Sequence, residues 1–282
     1  MNIKTFYKIF YEHRIKKSSF ILKIYILIFF PINYLLNKLF FEKKKNLDLF
    51  AIKNKNFFDK DFKFLFEYFN SDKGEKYYNQ YQKSFKLEKK LINGHQYHKF
   101  YENYLFHKKK DQLDILEIGT FKGNATAAFY FYFKNANITS VDIFPDLIRY
   151  NSKRIKNFYL DNSQEIQIEK NIIAKNLTFD FIIEDAGHYY KDQIISLFIL
   201  FKSLKKNGIF VIEELDFPDT RQDMNPDEKK PTLRDILMLI KDNKDFNSEL
   251  VSLDQKEYFL KNLSSLEIFK GNFNEIAFIK KK

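Results

Sequence analysis

The chain has 282 residues, no cysteine and a formal net charge of +11, and 45% of its residues are apolar. That apolar fraction is enough to bury a core, which excludes a wholly disordered chain, and the lack of cysteine excludes disulfide scaffolds, thiolate metal sites and cysteine nucleophiles. The length suits one ordinary domain with an appendage, or two small domains.

The positive charge is concentrated at the two ends of the chain. Residues 1–45 carry ten Lys or Arg side chains against two Glu, and the last three residues are all Lys. The body between them, residues 46–279, is therefore formally neutral. A nucleic-acid enzyme is expected to carry a basic face on its folded body. The charge distribution thus predicts that nucleic acid is not a partner.

The first predicted unit is a basic, apolar helical arm over residues 1–45. Its apolar run, residues 20–36, is broken by Lys23, Pro31 and Asn33, and it lies at the lower limit of about 17 residues for a bilayer span. Lysines flank the run on both sides, which suits anionic lipid head groups. One interpretation is a cytoplasmic protein held peripherally on the inner face of the cell membrane by a helical hairpin or in-plane helix. The alternatives are a helix that packs on the main domain or on a partner subunit of a homo-oligomer, and a true span.

Residues 46–110 are predicted to be a helical lead-in that contributes to the site, and residues 111–282 a nucleotide-binding type of α/β domain. We predict helices at 61–69, 95–107, 124–133, 146–156, 191–205 and 232–242. We predict strands at 113–118, 138–143, 166–168, 179–184, 209–213, 266–270 and 275–280. This alternation indicates a doubly wound, mostly parallel seven-stranded sheet of the Rossmann-like type. The last two strands, joined by a tight turn, form an antiparallel edge.

Acidic side chains end four of the predicted strands. They are Glu117, Asp142, the pair Glu184-Asp185 and the pair Glu213-Glu214. In doubly wound sheets the ligand lies at the carboxyl ends of the strands. Clustered carboxylates repel one another unless a cation or ligand hydroxyls lie between them. We therefore expect the site at this edge of the sheet.

The loop after the first of these strands has its glycines, Gly119 and Gly123, in the spacing Gly-x-x-x-Gly. A dinucleotide fingerprint has Gly-x-Gly-x-x-Gly instead. Glu117, just before the loop, would repel a pyrophosphate but suits the cationic amino group of a methionine moiety. Asp142, at the end of the next strand, can accept both hydroxyls of a ribose. The pattern favours S-adenosylmethionine over NAD, although a plain strand–turn–helix stays an alternative.

From about residue 70 to the C-terminus, these motifs resemble the class I S-adenosylmethionine-dependent methyltransferases. Within that group the chain is most similar to the metal-dependent sugar O-methyltransferases that act on macrolide antibiotics, and to the related cephalosporin-hydroxylase-like proteins. The matching stretches are SDK (71–73), HQY (95–97) with YE (101–102), LEIGTFKGNAT (116–126), VDIFPD (141–146), LDNS (160–163), FDFIIEDAGHYYKDQ (179–193) and NGIFVIEEL (207–215).

The resemblance implies roles for particular side chains. Asp185 corresponds to the first metal ligand of an Asp-x-x-His motif, and His188 to its general base. Glu213 and Glu214 lie where the family has a Glu-Asp pair that completes the metal site, so the second acid here is one methylene longer. For the S-adenosylmethionine site we predict Lys73, Glu117, Gly119, Thr120, Gly123, Asp142 on the ribose and Asp161 at the adenine edge.

We therefore predict a Mg²⁺-assisted O-methyltransferase that acts on a hydroxyl of a sugar, a glycosylated small molecule or a glycan, with residues 111–282 as its S-adenosylmethionine-binding methyltransferase domain. Carboxylates suit a hard cation such as Mg²⁺, a bound metal lowers the pKa of a hydroxyl, and His188 can take the proton. The polar segment 221–230 is predicted to be a loop that gates the acceptor. Two alternatives stay open, namely a catalytically inert S-adenosyl-binding scaffold at the membrane and an NAD-dependent oxidoreductase of the same architecture.

Overall fold

A computed structural model describes residues 3–7, 11, 15, 18–39, 44–79 and 90–282. Its strands are β1 (Lys45–Asn46), β2 (Lys76–Tyr78), β3 (Leu91–Asn93), β4 (Asp114–Ile118), β5 (Asn137–Asp142), β6 (Tyr150–Asn151), β7 (Ile155–Tyr159), β8 (Phe179–Glu184), β9 (Leu204–Ile212), β10 (Leu263–Lys270) and β11 (Glu275–Lys281). Its helices are α1 (Ile3–Tyr7), α2 (Phe20–Leu39), α3 (Leu47–Lys53), α4 (Phe62–Tyr68), α5 (His98–Leu105), α6 (Asn124–Tyr132), α7 (Glu165–Ile168), α8 (Tyr190–Leu200), α9 (Phe217–Thr220), α10 (Leu233–Lys241) and α11 (Leu253–Asn262).

Seven strands form the central sheet in the order β10-β11-β9-β8-β4-β5-β7. The strands from β9 to β7 are parallel, whereas β11 runs antiparallel to both β9 and β10. The chain runs outward from β4 through β5 to β7 and then returns to β8 and β9 on the other side of β4. This reversal is the topological switch point, where a crevice for ligands opens at the carboxyl ends of the strands. The predicted fold class is confirmed.

The lead-in segment is part of the core on one face of the sheet. Phe62 of α4 stacks on Tyr132 of α6 with ring centroids 3.5 Å apart, and it also contacts the rings of Tyr101 and Phe129. Helices α8, α10 and α11 cover the opposite face, where Phe198 contacts Phe259. Aromatic side chains of α4 and α5 are buried against this face of the sheet, so the two helices are part of its core.

Two of the elements predicted to follow β5 in the chain are wrong. Residues 146–156 were predicted to be a helix but contain a single 3₁₀ turn, the short strand β6 and the start of β7. Here Tyr150 and Asn151 pair with β1, a long-range partner that local periodicity does not reveal. Residues 166–168, predicted to be a strand, belong to α7. Ile168 and Ile172 are buried one helical turn apart, whereas Ile166 is 73% exposed, which is the periodicity of an amphipathic helix.

Three helices were not predicted, namely α3, α9 and α11. The start of α11 carries a capping box, in which Ser252 and Gln255 each bond the other's backbone. That Ser-x-x-Gln pattern is a sequence signal for a helix start, so α11 was predictable. The predicted helix at 95–107 begins later, at His98, because Gln96 has a left-handed φ of 60°.

The predicted arm is described only in part, since residues 1–2, 8–10, 12–14, 16–17 and 40–43 lie outside the described residues. Helix α2 is continuous through Pro31. Residues of the preceding segment pack on it, with the rings of Phe6 and Tyr11 at 6.0 and 5.2 Å from the ring of Phe30. Among the described helices, none has the length and apolar character needed to cross a membrane.

Candidate active site

A cavity of about 880 Å³ opens at the carboxyl ends of β4, β5 and β8. The predicted site residues that line it are Lys73, Glu117, Gly119, Thr120, Asp142, Asp161, Asp185, His188 and Glu214. The structure thus brings together residues from six separate stretches of sequence. Gly123 and Glu213 are the two predicted site residues that do not line this cavity, and each has other contacts.

The glycine loop is shaped by close backbone contact with the end of β8. Gly119 has a φ of 88°, and a Cβ atom there would lie 2.0 Å from the carbonyl oxygen of Asp185. Only glycine fits this position, because the conformation and the space both exclude a side chain. Gly123, with a φ of 76°, starts α6, and a Cβ atom there would lie 2.6 Å from Ile148 Cγ1. Gly123 therefore packs closely against Ile148 and does not face the cavity.

Hydrogen bonds orient the three acids predicted to bind the methyl donor. Thr126 Oγ1 donates to Glu117 Oε2 at 2.5 Å, and burial raises the pKa of Glu117 to about 8. The backbone N–H groups of Phe121 and Phe144 each donate to Asp142 at 2.7 Å. Ser163 donates from both its backbone N–H, at 3.0 Å, and its hydroxyl, at 2.6 Å, to Asp161 Oδ1. Each carboxylate is thereby fixed in one orientation at the cavity wall.

Asp185, His188 and Glu214 converge on one point of the cavity. Among the described residues they form a group whose ligand atoms all lie within 4.8 Å of one another. His188 Nε2 lies 3.6 Å from Asp185 Oδ1 and 3.5 Å from Glu214 Oε2. Glu214 Oε2 and His188 Nδ1 are buried, and no described residue forms a hydrogen bond with either atom. His95 Nε2 approaches the other Glu214 oxygen at 3.2 Å.

The backbone is strained at two members of this group. His188 has a φ of 55° and Glu214 a φ of 46°. Such left-handed conformations are uncommon for residues other than glycine, and they cluster at functional sites, where the surrounding structure over-determines them. The strain turns both side chains toward Asp185, which indicates a built site rather than a rim of solvated acids.

Lys73 neutralises two of the carboxylates from the lead-in side. Its side chain is 1% exposed, and its Nζ atom donates to Asp185 Oδ2 and, at 2.6 Å, to Glu213 Oε2. Tyr101 donates its hydroxyl to the other oxygen, Glu213 Oε1, at 2.5 Å. Both oxygens of Glu213 are thus bonded to protein groups, and the role of Glu213 as a metal ligand stays a prediction. Burial lowers the pKa of Lys73, but the charges of Asp185 and Glu213 outweigh it and raise this pKa well above its ordinary value.

The charge state of the remaining groups follows from burial. Burial, together with the positive charges of Lys73 and His95, lowers the pKa of His188 to about 3, so its imidazole is neutral at physiological pH. Burial and the carboxylates of Asp185 and Glu213 raise the pKa of Glu214 well above its ordinary value. A cation bound between Asp185 and Glu214 would relieve this repulsion.

Several residues at the cavity mouth were missed by the sequence analysis. They include Tyr77 and Phe217, whereas Arg221 and Met224, which also line the cavity, belong to the predicted loop 221–230. The guanidinium carbon of Arg221 lies 4.8 Å from the centre of the Phe217 ring. The predicted loop 221–230 therefore does reach the cavity, but its predicted gating motion is untested. No local sequence signal reveals the bond of Tyr101 to Glu213.

Comparison with known proteins shows what this chain is similar to. Residues 109–276 match the family model described as a methyltransferase domain. No curated protein sequence gives a significant match. Among solved structures, the chain is similar to MycE methyltransferase from the mycinamycin biosynthetic pathway in complex with Mg and SAH, with 20% identity and a TM-score of 0.57 over 79% of this chain and 55% of that one. A complex of the same protein with Mg, SAH and mycinamycin VI gives 19% identity and a TM-score of 0.58 over 79% and 54%.

The sheet order, the switch-point cavity and the glycine loop define a class I methyltransferase fold. The family match spans more than half of the chain. The chain belongs to the methyltransferase-domain family, which confirms the predicted methyltransferase assignment. It spans about half the length of MycE.

Proposed function

We propose that this methyltransferase transfers the methyl group of S-adenosylmethionine to a hydroxyl of a sugar or a glycosylated acceptor, with the assistance of Mg²⁺. The observation that carries the proposal is the convergence of Asp185, His188 and Glu214 within 4.8 Å at the end of the donor cavity. The resemblance of the Asp-x-x-His motif to sugar O-methyltransferases supports it. So does the presence of Mg, SAH and mycinamycin VI together in a structure of MycE.

The residues present fit a small hard cation. Asp185 and Glu214 offer oxygen ligands of the kind that Mg²⁺ prefers, and Glu214 Oε2 is a buried oxygen to which no described residue donates a hydrogen bond. In the proposal these two acids hold the ion, and Lys73 fixes the orientation of Asp185 from the opposite side. When bound, the ion would lower the pKa of the acceptor hydroxyl and orient its oxygen.

The protein's own groups perform the remaining steps. Glu117 binds the ammonium group of the donor, and Asp142 binds the ribose hydroxyls. The acceptor oxygen forms a bond to the methyl carbon while the carbon–sulfur bond breaks, and the electron pair goes to sulfur to give S-adenosylhomocysteine. The hydroxyl proton goes to the imidazole of His188, which burial keeps neutral, so that one ring nitrogen is free to take a proton. Alignment of oxygen, carbon and sulfur supplies much of the acceleration, because the sulfonium is already a good leaving group.

The cavity mouth suits an acceptor that has both polar edges and an apolar face. Asp72, His95 and Arg221 supply polar groups, and Tyr77 and Phe217 supply aromatic rings. A few convergent polar groups on an otherwise apolar lining are typical of small-molecule sites. This composition supports a sugar hydroxyl as the methylated group.

The 282-residue chain can be tested by calorimetric titration with S-adenosylhomocysteine, with and without Mg²⁺. We expect binding of the product, stronger protection against unfolding when Mg²⁺ is added, and loss of the Mg²⁺ effect alone in Asp185→Asn and Glu214→Gln. At a hundredfold excess over the dissociation constant, bound ligand adds about 2.7 kcal/mol to the free energy of unfolding. Glu165→Gln, an exposed acid outside the cavity, is the matched control.

The acceptor class is tested separately, with labelled S-adenosylmethionine and a panel of free sugars, nucleotide sugars and glycosides. Transfer of label to a sugar hydroxyl supports the proposal and eliminates the inert scaffold. An unchanged Mg²⁺ response in both Asp185→Asn and Glu214→Gln would refute the metal site while leaving the donor site intact. Transfer to nitrogen or carbon acceptors but to no hydroxyl would refute O-methylation.

A further inference from the structure

The N-terminal part of the chain exposes a large apolar surface. Twelve large apolar side chains of α2 are exposed, namely Phe20, Ile21, Leu22, Ile24, Tyr25, Leu27, Ile28, Phe29, Ile32, Leu35, Leu36 and Leu39. The opposite side of the helix is covered, since Phe6 and Tyr11 pack on Phe30. Apolar patches larger than a few hundred Å² mark interaction sites in soluble proteins. Helix α2 thus has one partnered side and one side that is open to a partner.

Basic side chains bracket this apolar surface along the chain. Lys16 and Lys17 precede α2, and Lys43, Lys44 and Lys45 follow it. Of these positions, 16, 17 and 43 lie outside the described residues. An apolar helix flanked by lysines is complementary to a surface that has anionic groups above an apolar interior.

Directly after the arm, the folded body also exposes apolar side chains close to basic ones. Helix α3 begins two residues after Lys45, and its Leu49 and Ile52 are 63% and 66% exposed. Beside α3 lies a second cavity of about 900 Å³, remote in sequence from the residues of the donor site. Its charged lining consists of Lys55, Lys109, Lys110 and Lys134, together with Asp48 and Asp59.

The lysines dominate the electrostatics of this second cavity. The carboxylate of Asp48 is occupied by hydrogen bonds from the hydroxyls of Ser152, at 2.7 Å, and Tyr130, at 3.0 Å. Lys109 is held in place, with its Nζ atom donating to the carbonyl of Lys60 at 2.6 Å and lying 4.7 Å from the centre of the Tyr132 ring. The other three lysines are exposed and able to meet anionic groups.

We infer that α2, α3 and the lysine-lined cavity form a membrane-docking face whose partner is a bilayer surface with anionic lipid head groups. The apolar side chains of α2 and α3 enter the boundary between head groups and acyl chains, and the lysines bind the head groups. The apolar side chains of α2 and α3 and the exposed lysines of the cavity supply the two kinds of group that this contact needs. The inference concerns where the enzyme works, and it does not depend on the proposed acceptor.

The test is co-sedimentation of the full-length protein with vesicles of phosphatidylcholine, alone or mixed with phosphatidylglycerol. We expect binding to the anionic vesicles that weakens steeply as salt is raised from about 0.05 to about 0.5 M. The triple variant K55Q/K110Q/K134Q is expected to bind about a hundredfold more weakly, since each lysine near an anionic surface contributes about fivefold. The variant K170Q/K241Q/K261Q removes the same charge from exposed positions on the opposite side of the sheet, and its binding should be unchanged.

A second variant tests the apolar part of the docking face. Ile24→Asn with Ile28→Asn should abolish vesicle binding while the thermal unfolding and the binding of S-adenosylhomocysteine stay those of the wild type. Equal binding to neutral and anionic vesicles would overturn the inference, as would the absence of vesicle binding. Self-association in place of vesicle binding, detected by light scattering and lost in the same variant, would assign α2 to a subunit interface instead.

Discussion

The ammonium group of Lys73 lies 2.6 Å from the carboxylate of Glu213, 140 residues further along the chain. This ion pair joins the lead-in segment to the end of β9, and a second bond from Lys73 joins it to Asp185 at the end of β8. A buried ion pair offsets a large desolvation cost, so removal of one partner leaves an uncompensated charge. The pair therefore couples the fold to the electrostatics of the candidate site.

Lys73→Met should lower the free energy of unfolding by about 3–5 kcal/mol, because it leaves the buried carboxylate of Glu213 without a counter-charge. The double variant K73M/E213Q should recover at least about 1 kcal/mol of that loss, since the two changes act on one interaction. Urea unfolding of the two single variants and the double variant measures this coupling. Lys76→Met, an exposed lysine three residues away, serves as the control and should change stability by less than about 0.5 kcal/mol. Strict additivity of the two single changes would show that the pair does not act as a unit.

Gly119→Ala should destabilise the protein by at least about 2 kcal/mol and abolish binding of S-adenosylhomocysteine. The added Cβ would be forced into a left-handed conformation and against the carbonyl oxygen of Asp185. Gly74→Ala is the comparison, because its Cβ would meet the Glu67 side chain at 2.9 Å, and that side chain can move. Calorimetric measurement of the stability and of the S-adenosylhomocysteine affinity of both variants distinguishes a clash with the backbone from a clash with a movable side chain. Wild-type affinity in Gly119→Ala would contradict the loop geometry.

The affinity for S-adenosylhomocysteine should fall as the pH is lowered from about 8 toward 6. Burial raises the pKa of Glu117 to about 8, so the carboxylate gains a proton below that pH and loses its attraction for the ligand's ammonium group. The expected slope is at most about tenfold per pH unit. Because protonation of the ligand acts in the opposite direction, Glu117→Gln is the reference. Its affinity should be weak at pH 8 and should not fall on acidification, and a parallel decline in both proteins would rule out Glu117 as the titrating group.

His188→Gln should reduce methyl transfer by about 10²- to 10⁴-fold without a change in the affinity for Mg²⁺ or S-adenosylhomocysteine. The pKa of His188 near 3 also implies that its protonation causes no loss of activity between pH 5 and 8. The rate is measured with labelled donor and the best acceptor of the panel, and the Mg²⁺ affinity by titration. A loss of Mg²⁺ affinity of more than about a hundredfold would instead make His188 a metal ligand.

The parts of the site that are local in sequence could be predicted from it. The strand, glycine loop and following helix from Asp114 to Tyr132 lie as expected, and the acids at the ends of β4, β5 and β8 face one cavity. These motifs depend on short-range chain geometry and on the rule that parallel strands end at one edge.

The contacts that join distant segments could not be predicted in the same way. No local pattern reveals that Lys73 and Tyr101 occupy the oxygens of Glu213, since the partners are 140 and 112 residues apart. The edge strand β7 was not predicted, because its residues are polar or half-buried and show little alternation between buried and exposed positions. The short pair of β1 and β6 could not be predicted either, because its two strands lie in segments that are far apart in the sequence.

The ion pair and the hydrogen bond of Glu213 also affect where a fragment of this protein that folds on its own can begin. The family match begins at residue 109, and a fragment excised there would retain all seven strands of the central sheet. It would lack Lys73 and Tyr101, so the carboxylates at the ends of β8 and β9 would lose this counter-charge, and the aromatic side chains of α6 that pack on the lead-in would be exposed to water. The boundary recognised by similarity therefore differs from the boundary of the smallest autonomous folding unit. We propose that this unit includes the segment that begins near residue 46.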